Sequence, residues 1–263
     1  GEKLWLPGRG HMAARGGMSD LNDKDTDYRR NIALILSGGT GRRLGTDIPK
    51  QYLEAGGRSV ISYCIETLSR HGGIDAIWIV AEPAWQEEIL GWLETADVEQ
   101  KFRGFSLPGE NRQLSVLHGL EDILQDGSET DFVLVHDAAR PLLSADMISA
   151  CLEAAVDHDG AIPVLPMKDT VYCSGDGHRI TSLLDRGAVF AGQAPEAFVL
   201  GKYLEANRSL LPERILQING STEPAVMAGM DIAMIPGDEK NFKITTKEDL
   251  ERFRELINQG KRP

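Results

Sequence analysis

Cysteine is scarce in this 263-residue chain: there are three, Cys64, Cys151 and Cys173, and they share no metal-ligand spacing. That pattern excludes a disulfide scaffold and a zinc cluster, and it suits reduced thiols in the cytoplasm. Long apolar runs are missing too. No stretch approaches the ~20 residues that cross a bilayer, and no signal-peptide core precedes the first apolar segment, so a cytoplasmic protein with no membrane partner is expected. Excess positive charge is absent: 28 Lys and Arg stand against 40 Asp and Glu, a formal net charge of -12. A protein that holds a phosphate backbone presents a basic face, so nucleic acid is excluded as the expected partner. Any anionic ligand must be held by local cations. Internal repeats and low-complexity tracts are also lacking, and nothing demands a second domain.

What is present is a glycine-rich loop between an apolar run and a Pro-Lys-Gln. Ile32 to Leu36 is continuously aliphatic, the pattern of a strand buried on both faces of a parallel sheet. Ser37-Gly38-Gly39-Thr40-Gly41-Arg42-Arg43-Leu44-Gly45 follows it, which places the loop at a strand's carboxyl end, where open α/β sheets bind ligands. The glycines let backbone N–H groups approach an anion, and Arg42, Arg43 and Lys50 supply positive charge. Two familiar phosphate loops do not fit. A Walker A loop ends in Gly-Lys-Ser/Thr, whereas Gly45 is followed by Thr46-Asp47. The dinucleotide fingerprint needs glycine at position 44, which is Leu44.

Apolar runs and amphipathic segments then alternate, as repeated βα units do. Strands are expected at 76–81, 132–135, 161–165 and 232–235, and helices at 59–68, 85–93, 115–124, 145–156, 200–210 and 247–259. Thr246 with Asp249 offers a capping-box start to the last helix, and Pro141 is expected to close the element that begins at Phe132. Segments 171–173 and 180–183, around Ser174-Gly175-Asp176-Gly177, read as a protruding β-hairpin within an arm of about 168–188. Such an arm invites a second copy of the chain, so a homodimer is expected. Residues 1–29 lack periodicity, resemble a tag remnant or N-terminal extension, and are expected to be disordered. One domain over 30–260 is expected.

Gly38-Gly39-Thr40-Gly41-Arg42-Arg43 with Pro49-Lys50-Gln51 reproduces the nucleotidyltransferase loop, and His136-Asp137-Ala138-Ala139-Arg140-Pro141 and Asn241-Phe242-Lys243-Ile244-Thr245 match two further motifs. On these residues the chain resembles the 2-C-methyl-D-erythritol 4-phosphate cytidylyltransferase family, with the ribitol-5-phosphate cytidylyltransferases as near relatives. The resemblance implies a Rossmann-like, mostly parallel α/β sheet flanked by helices, and conversion of CTP and a small polyol phosphate to the CDP-polyol and pyrophosphate. It implies Mg2+ as cofactor and a place in isoprenoid precursor synthesis when the acceptor is methylerythritol phosphate. Arg43, Lys50 and Lys243 then carry the catalytic positive charge. Ser37, Gly38, Gly39, Thr40, Gly41, Glu110, Ser115 and Ala138 bind nucleotide; Asp137 touches both substrate and metal; Thr170, Arg186 and Thr222 bind the acceptor. Because Thr170 and Arg186 flank the hairpin, the arginine can serve the partner's site.

His136 is assigned to structure, because the attacking phosphate is already ionised near neutral pH and needs no base. A local cap at a helix start is the plain alternative for Ser115. Departures from the family spelling lie on the acceptor side: Gln193-Ala194-Pro195-Glu196 replaces Gln-Thr-Pro-Gln, and Ser221-Thr222-Glu223 stands where relatives read Thr-Asp. Ribitol 5-phosphate, a sugar 1-phosphate with another nucleotide, and a nucleotide sensor without catalysis stay open as alternatives.

Overall fold

A computed structural model describes residues 28–39 and 48–260. Residues 1–27, nearly all of the segment expected to be disordered, lie outside the described residues, as do 40–47 and 261–263. The strands are β1 (Asn31–Leu36), β2 (Glu54–Ala55), β3 (Arg58–Ser59), β4 (Ala76–Val80), β5 (Phe102–Ser106), β6 (Phe132–Asp137), β7 (Gly160–Pro166), β8 (Tyr172–Cys173), β9 (Ser182–Leu183), β10 (Phe190–Gly192), β11 (Glu196–Val199) and β12 (Ile232–Pro236). The helices are α1 (Val60–Arg70), α2 (Pro83–Ala96), α3 (Arg112–Asp126), α4 (Ala145–Val156), α5 (Leu200–Arg208), α6 (Glu223–Met227) and α7 (Lys247–Asn258).

Eight strands form one mixed sheet in the order β10-β7-β11-β6-β1-β4-β5, with β12 parallel to β7. The block β6-β1-β4-β5 is parallel throughout, and β11 and β10 run antiparallel to their neighbours. The aliphatic run of β1 follows from its central position. Ala33 and Ile35 enter a core with α1, α2 and α4, while Ile32 and Leu34 enter the opposite core with α3 and α5. Side chains alternate across a strand, so a strand covered on both faces has no polar phase. A third cluster seats Phe253 and Ile257 of α7 against Val60 and Tyr63 of α1.

Three strands of the eight-stranded sheet escaped the apolar-run criterion, each for a visible reason. β5 lies at the sheet edge and carries Arg103 and Gly104, both outside the core. β10 and β11 are short, and β11 begins with a carboxylate, Glu196. The helix expected from residue 115 begins at Arg112, because Asn111 caps it by accepting the N–H of Leu114 at 2.9 Å. β6 ends at Asp137, so Pro141 lies in the following turn and does not close the strand. The α7 capping box is formed as expected between Thr246 and Asp249.

The hairpin arm is present: β8 pairs with β9, and the Asp176 carboxylate accepts the N–H groups of His178 and Arg179 at the turn. Tyr172, Ile180 and Leu183 on it are each more than half exposed.

Candidate active site

The connection from β5 crosses back past β1 to reach β6, so the two sides of β1 are built from different parts of the chain. At such a switch point the loops leaving adjacent strands diverge and leave a crevice. Leu36 pairs with both Val80 and Asp137, so the carboxyl ends of β1, β4 and β6 are level. A cleft of about 430 Å³ opens there. Gly38, Gly39, Lys50 and Gln51 line it from the segment after β1, Glu82 from the end of β4, and Asp137 and Ala139 from the end of β6. Gly109 to Arg112 with Ser115 line it from the start of α3, and Lys243 completes it.

Asp137 is the centre of charge in this cleft. Its Oδ1 accepts Arg112 Nη2 at 2.9 Å, and its Oδ2 faces Lys243 Nζ at 3.1 Å and Arg140 Nε at 3.4 Å. Burial alone would push the carboxyl up, but Arg112, Lys243 and Arg140 overcome it and hold Asp137 well below the usual carboxylate range. Lys243 is brought in by a segment far along the chain. Ile244 is buried and its N–H donates to Ala139 O at 2.8 Å, while Arg140 Nη1 donates to Asn241 O at 2.7 Å. Two motifs separated by about a hundred residues are thus one structural unit.

Of the residues expected from the sequence, Gly38, Gly39, Lys50, Glu110, Ser115, Asp137 and Lys243 share this cleft. Ser37 lies beneath it, buried and hydrogen-bonded to the Tyr52 hydroxyl at 2.8 Å. Ser115 is not the helix cap; its hydroxyl accepts Gly109 N–H and donates to Asn111 O, which folds the Gly109 turn onto α3. A Cβ on Gly109 would come within 2.3 Å of Leu114 Cβ, so only glycine fits. Ala138 is buried and its neighbour Ala139 lines the cleft instead. Thr222 is half-buried beside Ser221, which Arg112 Nη1 touches, and the Thr222 hydroxyl has no partner among the described residues. Thr170 and Arg186 are exposed on the arm and do not line this cleft; Arg186 Nη1 donates to Lys168 O at 2.8 Å. Thr40, Gly41 and Arg43 lie outside the described residues.

Arg112, Arg140 and Gln51 were not singled out from the sequence, although Arg140 and Gln51 stand inside motifs that were. Their long side chains give no local sign of their target. His136 is fully buried and donates from Nε2 to Arg140 O at 3.0 Å, and burial pushes it down to about 4, so the ring is neutral and shapes the turn.

Behind the Arg112–Asp137 pair sits Glu196, buried, with no hydrogen-bond partner for Oε2 among the described residues. Burial pushes its carboxyl up to about 7, against the attraction of Arg112. A carboxyl raised in the fold binds a proton that the unfolded chain releases at lower pH, so its contribution is present in acid and lost as pH rises through about 7. Glu196→Gln is therefore expected to match the parent near pH 5 and to exceed it by roughly 1–3 kcal/mol near pH 8. Urea melts of both proteins at the two pH values check this, and a gap that does not widen with pH refutes it.

No group of three or more His, Cys, Asp and Glu side chains that could hold a metal occurs among the described residues. The cleft offers the carboxylates of Asp137, Glu82 and Glu110, with cations already on both oxygens of Asp137. That donor set does not make a protein cage. It does fit a hard cation that keeps its waters and takes most of its other ligands from phosphate oxygens.

A glycine loop, converging cations and a single central carboxylate at a parallel-sheet switch point define a nucleotidyltransferase. The family model for 2-C-methyl-D-erythritol 4-phosphate cytidylyltransferase (IspD) matches residues 31–259, and the chain belongs to that family. It is 36% identical over 82% of its length to the 2-C-methyl-D-erythritol 4-phosphate cytidylyltransferase of Syntrophotalea carbinolica, covering 91% of that protein. It is 30% identical over 87% of its length to a ribitol-5-phosphate cytidylyltransferase of Streptococcus agalactiae, covering 95% of it. A solved 4-diphosphocytidyl-2C-methyl-D-erythritol synthase from Anaerococcus prevotii shares the fold with a TM-score of 0.75, at 24% identity over 88% of this chain and 96% of that one.

Proposed function

We propose that the chain transfers the cytidylyl group of CTP to 2-C-methyl-D-erythritol 4-phosphate, giving 4-diphosphocytidyl-2-C-methyl-D-erythritol and pyrophosphate. The observation that carries this reading is the common cleft: Lys50 beside the glycines, and Lys243 and Arg112 on Asp137. An acceptor phosphate oxygen attacks the α-phosphorus, the new P–O bond forms, and the bond to the β-phosphate oxygen breaks with its electron pair leaving on pyrophosphate. A phosphate monoester, whose second pKa is about 6, is ionised at neutral pH, so alignment and charge stabilisation suffice without a base. On this reading Lys50 and Lys243, which line the same cleft, offset the charge that gathers there. Asp137 is the carboxylate that would hold Mg2+ together with phosphate oxygens, and bound Mg2+ would offset phosphate charge.

Turnover of a panel decides the acceptor. Pyrophosphate release from CTP is expected with 2-C-methyl-D-erythritol 4-phosphate, and release with ribitol 5-phosphate alone would replace it by the second reading, which the Streptococcus agalactiae relative supports. Failure to release pyrophosphate with every acceptor of the panel would leave nucleotide sensing.

The arm supports a homodimer, because a two-stranded ribbon bearing exposed Tyr172, Ile180 and Leu183 cannot bury both faces by itself. Thr170 and Arg186 would then serve the partner's cleft. Sedimentation is expected to give a dimer at micromolar concentration; monomer alone would refute it. A cytoplasmic setting is inferred from the three cysteines, all unpaired. Among the described residues no helix is long and apolar enough to cross a membrane.

A further inference from the structure

Gln51 follows the cleft's lysine directly, is almost fully buried, and sends its side chain away from solvent under the glycine loop. Its Nε2 donates to Ser37 O at 2.9 Å and to Gly39 O at 2.9 Å. A side-chain amide has two N–H donors on one nitrogen, and both are committed to alternate carbonyls of one short stretch. The peptide unit is planar and trans, so a carbonyl held on one side turns the next N–H to the other. With Ser37 O held by Gln51, the Gly38 N–H is directed away from it, and no acceptor among the described residues takes that N–H.

The brace is fixed from several sides. Ser37 O also accepts the Tyr52 hydroxyl at 3.0 Å, and the Tyr52 ring packs against Trp85 and Trp92 at centroid distances of 4.7 and 5.5 Å. Glycine is required at 38, since a Cβ there would stand 2.7 Å from Pro108 Cβ. Lys50, Gln51 and Tyr52 form a single 3-10 turn, closed by Tyr52 N–H on Pro49 O at 2.9 Å. One rigid turn therefore carries both a cleft cation and the support of the glycine loop.

We propose that Gln51 is a positioning residue that pre-sets the Gly38 amide for the polyphosphate of the nucleotide. The inference rests on reading the cleft as the nucleotide site. Donors held in place before the ligand arrives cost no reorganisation when charge develops, which is what a transferase loop requires.

The test measures CTP and CMP affinity by calorimetry, and acceptor KM, for Gln51→Met, Tyr52→Phe and Lys50→Ala. Gln51→Met is expected to weaken CTP about tenfold or more, with CMP affinity and acceptor KM within about twofold, because only the polyphosphate reads the Gly38 amide. Tyr52→Phe, which removes one of two donors to Ser37 O, is expected to weaken CTP in the same direction by a smaller factor, and it decides the matter if Gln51→Met does not fold. Equal losses for CTP and CMP, or unchanged CTP affinity in the glutamine and tyrosine variants while Lys50→Ala loses it, overturn the positioning role and leave the cleft assignment standing. Unchanged CTP affinity in all three variants, Lys50→Ala included, overturns the cleft assignment and this inference with it.

Discussion

Asp137→Ala is expected to lower kcat/KM by at least about a hundredfold and to destabilise the fold by about 2–4 kcal/mol. The reason is the number of charges that depend on one carboxylate. Arg112, Arg140 and Lys243 all face it, and removing it leaves three cations facing one another with two guanidinium groups only partly solvated. Breaking a shielded pair from one side costs far more than the pair contributes, because the remaining charge stays desolvated. Asp137→Asn preserves the shape and removes only the charge, so it separates packing from electrostatics. Since its neighbours hold the Asp137 carboxyl below the usual range, its contribution is present at neutral pH and is lost on acidification, the opposite sign to Glu196. Chemical denaturation and steady-state rates check both parts, and an alanine variant with parental turnover would remove Asp137 from the mechanism.

Lys243→Met is expected to lower kcat by roughly 10²–10³, equivalent to about 3–4 kcal/mol of barrier, with a change in stability below ~1 kcal/mol. The ammonium is 37% exposed, so its ion pair with Asp137 adds little to the fold. The neighbouring Ile244, fully buried in the third core, holds the backbone whichever side chain stands at 243. Lys243→Arg keeps the charge but moves it on a longer planar head, and it should recover only part of the rate. A kcat within threefold of the parent in the methionine variant would show that the lysine merely decorates the cleft.

Much of this site could be read directly because it is local in sequence. Asp137 stands at the end of an aliphatic run, and strand ends in a parallel sheet face the ligand crevice. The glycines and Lys50 are within one loop and its continuation, so their joint presence in the cleft needs no long-range knowledge. Lys243 was reached through its motif, but its distance of 3.1 Å from Asp137 comes from the pairing of Ile244 with Ala139. Arg112 and Arg140 escaped because an arginine reaches several ångströms from its backbone and its partner is chosen by the fold. Glu196 is the sharper case, since a carboxylate in a short strand carries no local sign that it will be buried behind another acid.

The sequence by itself determined the alternation of strand and helix, the doubly covered central strand, the arm and the three motif-bearing loops, because hydrophobic period and turn chemistry act over a few residues. Only the tertiary structure decided the antiparallel pairing of β10 and β11, the three cations on Asp137 and the hold of Gln51 on Ser37 and Gly39. Those depend on which segments become neighbours in space, and that is settled by the packing of the whole sheet and its two helical layers.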